Sequence, residues 1–92
     1  MEENARCGFK IRGRVQGVGF RWWTWRNASR LGLRGTVRNC PDGTVEVCVE
    51  GPSGAVHEMR ELLSRGPSPA HVTSIEDFEP PGRLPEDFEI VA

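Results

Sequence analysis

The chain has 92 residues, of which 37% are hydrophobic and 27% are charged, and its formal net charge is −1. This length is enough for one domain, and the composition is that of an ordinary folded protein. The sequence has no apolar run near the roughly 18 residues that cross a bilayer and no secretory signal, so it excludes a membrane protein, a secreted scaffold and a multidomain enzyme.

A strand, a glycine-containing loop and a helix are predicted for the first third of the chain. Apolar and polar residues alternate over residues 7–15, which is typical of a strand with one buried face. Residues 1–6 are expected to be disordered or loosely ordered, so that the folded domain covers residues 7–92. After two glycines within residues 16–19, helical spacing follows over residues 20–31, with the apolar stripe Phe20, Trp23, Ala28 and Leu31.

A β-hairpin, a second helix and two short strands are predicted for the rest. Residues 33–39 and 44–50 alternate on either side of a Pro-Asp-Gly turn, which predicts the hairpin. A helix between Gly51-Pro52 and Gly66-Pro67 is followed by strands over residues 72–78 and from residue 88 onward. The order predicts an α+β, ferredoxin-like split βαββαβ sandwich, with a four- to five-stranded, mostly antiparallel sheet and both helices on one face.

The cysteines Cys7, Cys40 and Cys48 are odd in number and form no CxxC pair, which argues against a disulfide framework or a zinc site. Cys7 is in step with the apolar residues of its strand, whereas Cys48 is in step with Glu46 and Glu50 on the polar face of its own. We therefore expect reduced thiols and a cytoplasmic location.

The loop before the first helix is the strongest candidate for a ligand site. Gly17 and Gly19 leave the backbone open to a ligand, and N–H groups at the start of a helix bind anions, although a tight turn explains the glycines equally well. Arg21 lies in the first helical turn, where the positive end of the helix dipole repels a cation. That repulsion is removed if Arg21 and the loop N–H groups hold the same anion. Residues 1–38 also hold nine of the twelve basic residues and only two of the thirteen acidic ones.

Asn39 is the second candidate, at the end of the first hairpin strand. An Asx turn is the ordinary role of such a residue. In a ferredoxin-like sheet, however, this strand end lies beside the 16–21 loop, where a carboxamide could orient a water molecule.

His57 and His71 are expected on the surface, and the sequence has neither a nucleophilic triad nor metal-ligand spacing. An enzyme built from these parts must therefore work by positioning and electrostatics.

Two motifs carry a family resemblance. The segment GRVQGVGFR (residues 13–21), followed by Gly35-x-Val37-x-Asn39-x-x-Asp42-Gly43, resembles the acylphosphatase family, and the resemblance extends over about residues 7–91. It implies a small cytosolic hydrolase that splits acyl phosphates into a carboxylate and inorganic phosphate without a cofactor. From the residues themselves we expect neither a metal nor a membrane partner, and a monomer is the default for a short chain without a large apolar face. The resemblance also implies a phosphate site made by Arg21 with the loop residues Gln16, Gly17, Val18, Gly19 and Phe20, and a catalytic water positioned by Asn39.

Trp22 and Trp25 depart from this family, in which both positions are usually polar. Their spacing places them on one helix face, and we expect them to be partly buried against the C-terminal segment. If they instead reach the mouth of the pocket, they would favour bulky or aromatic acyl groups.

Two other functions remain open at this stage. The basic first part and the tryptophans would also suit a non-catalytic anion- or nucleic-acid-binding module on the same fold, although the RNP1 signature is absent and nucleic acid is the less expected ligand. An acylphosphatase-like domain of a larger carbamoyl-transfer enzyme is the third possibility, and the length of the chain favours the stand-alone enzyme.

Overall fold

Five strands and two helices make up the computed structural model, which describes residues 3–92. In chain order they are β1 (Asn4–Arg14), α1 (Phe20–Arg30), β2 (Arg34–Asn39), β3 (Val45–Pro52), α2 (Ser53–Arg65), β4 (His71–Phe78) and β5 (Phe88–Ile90). The sheet order is β4-β1-β3-β2-β5, and β2–β5 is its one parallel pair in the described chain. The predicted ferredoxin-like fold is confirmed, with β5 as the fifth strand. Neither helix within residues 3–92 is long and apolar enough to cross a membrane.

The first strand begins earlier than the alternation of apolar residues predicted. Asn4 and Ala5 pair with Pro52 and Gly51 of β3, and the Ser53 N–H donates to the Glu3 carbonyl at 2.9 Å. Pairing with β3 therefore extends β1 to Asn4, three residues before the alternation of apolar residues begins. Residues 1 and 2 lie outside the described residues.

The hydrophobic core fills the space between the helices and one face of the sheet. Alternate residues of the central strands are almost completely buried there: Phe9, Ile11, Val37, Val45, Val47 and Val49. From α1 the buried residues are Phe20, Thr24 and Ala28, four apart, so Thr24 lies where the predicted stripe had Trp23. Trp23 is half-buried instead and packs on the Phe20 ring, with the centroids 5.5 Å apart.

The opposite face of the sheet is polar at its centre and partly covered by the segment before β5. Glu50 pairs with Arg34 at 3.0 Å, and Glu46 pairs with Arg38 at 3.0 Å, which confirms that these carboxylates belong to a polar sheet face. Leu84 of the covering segment and Cys48 below it are both buried. All three cysteines are free, as expected, and burial raises the pKa of the Cys48 thiol.

The turn between β2 and β3 is closed by its own side chains. Asp42 Oδ1 accepts hydrogen bonds from the Thr44 hydroxyl at 2.6 Å and from the Thr44 N–H at 3.1 Å, and Asp42 Oδ2 lies 3.2 Å from Lys10 Nζ. The bonds from Thr44, helped by Lys10, hold the pKa of the Asp42 carboxyl well below its usual range. The ionised carboxylate therefore stabilises the turn that directly follows Asn39.

We expect Met59→Ala to lower the free energy of unfolding by about 2–4 kcal/mol, because Met59 is fully buried on the inner face of α2 and its removal leaves a cavity. The exposed His57 on the same helix provides the control, since His57→Ala is expected to change stability by less than about 0.5 kcal/mol. Urea unfolding measures both, and equal values for the two variants would contradict the assigned core.

A pH dependence follows from the lowered pKa of Asp42. The unfolded carboxyl titrates near pH 4, so below that pH the unfolded state binds the proton first and the contribution of Asp42 to stability falls. We expect wild type to have a higher Tm than Asp42→Asn at pH 7, and the difference to shrink as the pH falls below about 4. Thermal melts from pH 7 to pH 2.5 measure this, and a Tm difference that does not change with pH would contradict the prediction.

Candidate active site

The loop between β1 and α1 takes its shape from two glycines. Gly17 has φ 74° and Gly19 has φ 78° with ψ 18°, both in the left-handed region, where a β-carbon costs about 1–2 kcal/mol. A β-carbon added at either position would meet no atom within 4 Å. The backbone conformation therefore requires these glycines, and the same absence of side chains leaves the loop open to a ligand.

The first turn of α1 is electropositive. Gly19 caps the helix without a side chain, the first turn has no acidic residue, and the first N–H groups of a helix lack acceptors within it. Arg21 is exposed and makes no ion pair with the acidic residues of the described chain. A guanidinium and a row of backbone N–H groups are thus available to one anion.

Asn39 ends β2 on the side of the sheet that the helices cover. It is in step with the buried Val37, so its carboxamide lies under the start of α1 and away from the polar face. Its Oδ1 atom is buried and has no hydrogen-bond partner within residues 3–92. A buried amide oxygen without a partner costs about 1–3 kcal/mol, so this atom is suited to accept a hydrogen bond from a small molecule.

Gln16 holds the two segments together. Its Nε2 donates to the Cys40 carbonyl at 2.8 Å and to the Thr44 carbonyl at 2.9 Å, so both amide hydrogens are used. Cys40 directly follows Asn39, and the Cys40 N–H itself donates to the Thr44 carbonyl at 2.8 Å. The side chain of Gln16 therefore fixes the loop against the end of β2.

A pocket of about 240 Å³ opens where these elements meet. Its walls are formed by Val15, Gly17, Gly19, Phe20, Arg21, Trp22, Asn39 and Ile90. Arg21 and Asn39, which the sequence named from separate motifs, therefore line one pocket, as do the predicted loop residues Gly17, Gly19 and Phe20. The side chains of Gln16 and Val18 lie outside it: Gln16 bonds to the hairpin and Val18 packs against the core.

The two tryptophans of interest behave differently. Trp25 is half-buried and its Nε1 donates to the Phe88 carbonyl at 3.1 Å, so the expected packing against the C-terminal segment is confirmed for this residue. Trp22 is 58% exposed and lines the pocket, so the same expectation is wrong for Trp22. Ile90 was missed as a pocket residue, because only the parallel pairing of β5 with β2 brings it there.

Comparison with known proteins agrees with these features. A family model described as Acylphosphatase matches residues 7–90. The chain is 46% identical to an acylphosphatase of Nitratidesulfovibrio vulgaris, over 92% of this chain and 88% of that protein. It is also 46% identical to an acylphosphatase of Thermococcus kodakarensis, over 97% of this chain and 98% of that one.

Solved structures give the same result. The crystal structure of an acylphosphatase from Bacillus subtilis superposes with a TM-score of 0.87 at 34% identity, covering 98% of this chain and all of that one. The phosphate- and nucleotide-bound structure of full-length HypF also superposes with a TM-score of 0.87, at 30% identity, but this chain covers only 12% of HypF. On the match of family, sequence and fold over nearly its whole length, the chain belongs to the acylphosphatase family.

Proposed function

We propose that this pocket hydrolyses the carboxyl–phosphate bond of acyl phosphates, with Arg21, the loop N–H groups and Asn39 as its working parts. The observation that carries the proposal is their convergence. An exposed guanidinium, an open helix N-terminus and a buried amide oxygen that has no partner within residues 3–92 line one pocket. The family to which the chain belongs supports the reaction type, since its members are hydrolases of acyl phosphates.

Phosphate binding would use the fixed donors of the loop. The Arg21 guanidinium can hold two phosphoryl oxygens, and the N–H groups of residues 16–20 can hold the third. These donors face the charge that spreads over the phosphoryl oxygens in the transition state. They therefore stabilise the transition state more than the free substrate.

Asn39 would orient the attacking water. Its Oδ1 accepts a hydrogen bond from the water, whose oxygen then faces the phosphorus on the side opposite the leaving carboxylate. A new P–O bond forms as the bond between phosphorus and the carboxylate oxygen breaks. One water proton passes to a phosphoryl oxygen, so the products are the carboxylate and dihydrogen phosphate, and the charge is conserved without a protein base.

The chemistry needs little further assistance. A carboxylate is a good leaving group and departs without a general acid, and Arg21 with the helix N-terminus supplies positive charge at the phosphoryl group. We therefore propose turnover without a metal or other cofactor.

The free thiols support a cytoplasmic location. The two exposed large apolar side chains of the described surface both line the pocket, which supports a monomer.

The nucleic-acid-binding alternative is not favoured. Stacking of bases requires accessible aromatic rings on a basic surface, but Trp23 and Trp25 are half-buried against the core and the C-terminal segment. Trp22 alone is exposed, and it lines the pocket.

We expect Arg21→Ala to lower kcat/KM for benzoyl phosphate by about 10³-fold, because a charged phosphoryl ligand is lost. The Ki of inorganic phosphate should rise in the same variant. Arg26→Ala is the matched control, since Arg26 is exposed on α1, has no ion pair with the acidic residues of the described chain and should keep activity within twofold. Assays with and without EDTA test the metal-free reaction, and equal activities of the two variants would overturn the assignment.

Asn39→Ala distinguishes a role in positioning the water from a role in binding phosphate. We expect kcat to fall by about 10²-fold or more, while the Ki of inorganic phosphate changes less than threefold, because the phosphoryl ligands remain. Asn27→Ala, which removes a carboxamide bonded to the Trp23 carbonyl outside the pocket, should keep kcat within twofold. A parallel loss of phosphate inhibition in Asn39→Ala would show that Asn39 binds phosphate and does not position water.

A further inference from the structure

The described surface has two exposed large apolar side chains, and both line the pocket. Trp22 is 58% exposed and Ile90 is 40% exposed. They come from distant parts of the sequence, α1 and β5, yet they meet at the pocket that also holds Arg21 and Asn39. Isolated apolar residues on a surface are ordinary, but exposed apolar residues that meet at one pocket indicate what the pocket accepts.

Trp22 is held in place by its neighbour. Its ring stacks on that of Trp25 with the centroids 5.0 Å apart and the planes 15° from parallel. Trp25 is in turn anchored by its hydrogen bond to the Phe88 carbonyl of β5, at 3.1 Å. The stack covers one side of the Trp22 indole, which remains 58% exposed, and an indole that is already oriented loses little conformational entropy when a ligand binds.

Ile90 is placed by the edge pairing of the sheet. It lies opposite Val37 in the parallel β2–β5 register, and the Val91 N–H donates to the Val37 carbonyl at 3.0 Å. Asn39 is two residues further along β2. Ile90 is in step with the buried Phe88, so it is on the helix-covered side of the sheet, at the same end as the carboxamide of Asn39.

We infer that Trp22 and Ile90 form the binding surface for the acyl group, and that the enzyme prefers acyl phosphates with an aromatic or extended apolar acyl group over acetyl phosphate. The inference rests on the proposed function, which assigns the phosphoryl group to the loop and Arg21. With the phosphoryl group there, the remaining walls are apolar. An aromatic acyl ring can stack on the free side of the indole, while an acetyl group is too small to cover it.

The test compares two substrates in each variant. In Trp22→Ala we expect kcat/KM for benzoyl phosphate to fall about tenfold, while kcat/KM for acetyl phosphate changes less than threefold. Trp22→Phe should retain most of the wild-type preference, because a ring remains. In Ile90→Ala the ratio of kcat/KM for benzoyl phosphate to kcat/KM for acetyl phosphate should fall about threefold. Arg26 is exposed outside the pocket, so Arg26→Ala should leave this ratio unchanged.

The ratio of the two substrates separates specificity from stability, because partial unfolding lowers both activities equally. Benzoylphosphonate and acetylphosphonate cannot be hydrolysed, so their Ki values provide a readout without turnover. In Trp22→Ala the Ki of benzoylphosphonate should rise more than the Ki of acetylphosphonate. If wild type hydrolyses neither substrate, the proposed function fails. If wild type hydrolyses both and the ratio is the same in Trp22→Ala, the acyl surface is overturned and the proposed function stands.

Discussion

The hydrogen bonds of one side chain amide connect the two halves of the site. Gln16 donates to the Cys40 and Thr44 carbonyls, so the loop whose N–H groups we propose to bind phosphate is held against the strand end that carries Asn39. The ionised Asp42 supports the same turn from its outer side. Catalysis by positioning is sensitive to displacements of about 1 Å, so the site depends on this link more than on any single ligand.

The pocket concentrates several local costs to stability. Gly17 and Gly19 raise the conformational entropy of the unfolded chain, Arg21 opposes the dipole of α1, and the Asn39 oxygen is buried without a partner among the described residues. None of these features improves the packing of the core, and the proposed binding of phosphate and water would offset the costs at Arg21 and Asn39. Their coincidence in one pocket is what distinguishes a site from an ordinary surface depression.

Local patterns predicted most of the fold and the parts of the site that are close in sequence. The alternation of valines around residues 45–49 and the glycines of the loop identify a hairpin and a strand–helix turn directly. The predictions failed where long-range contacts decide: the pairing of β5 with β2 brings Ile90 to the pocket, and the packing of α1 on the core buries Thr24 in place of Trp23. No sequence spacing encodes such contacts, since they depend on which elements become neighbours.

The proposed phosphoryl side and acyl side of the pocket rest on different structural supports. Gln16 ties the loop to the hairpin, and Asn39 ends one hairpin strand, so substitutions in these two segments disturb both geometry and chemistry. Trp22 and Ile90, by contrast, contribute little to the core and project from a helix and an edge strand. Because replacing an exposed side chain usually changes stability by less than about 0.5 kcal/mol, acyl preference can change while phosphoryl chemistry is maintained. The exposed Trp22 therefore lies beside the loop without taking part in the hydrogen bonds that fix the loop to the hairpin.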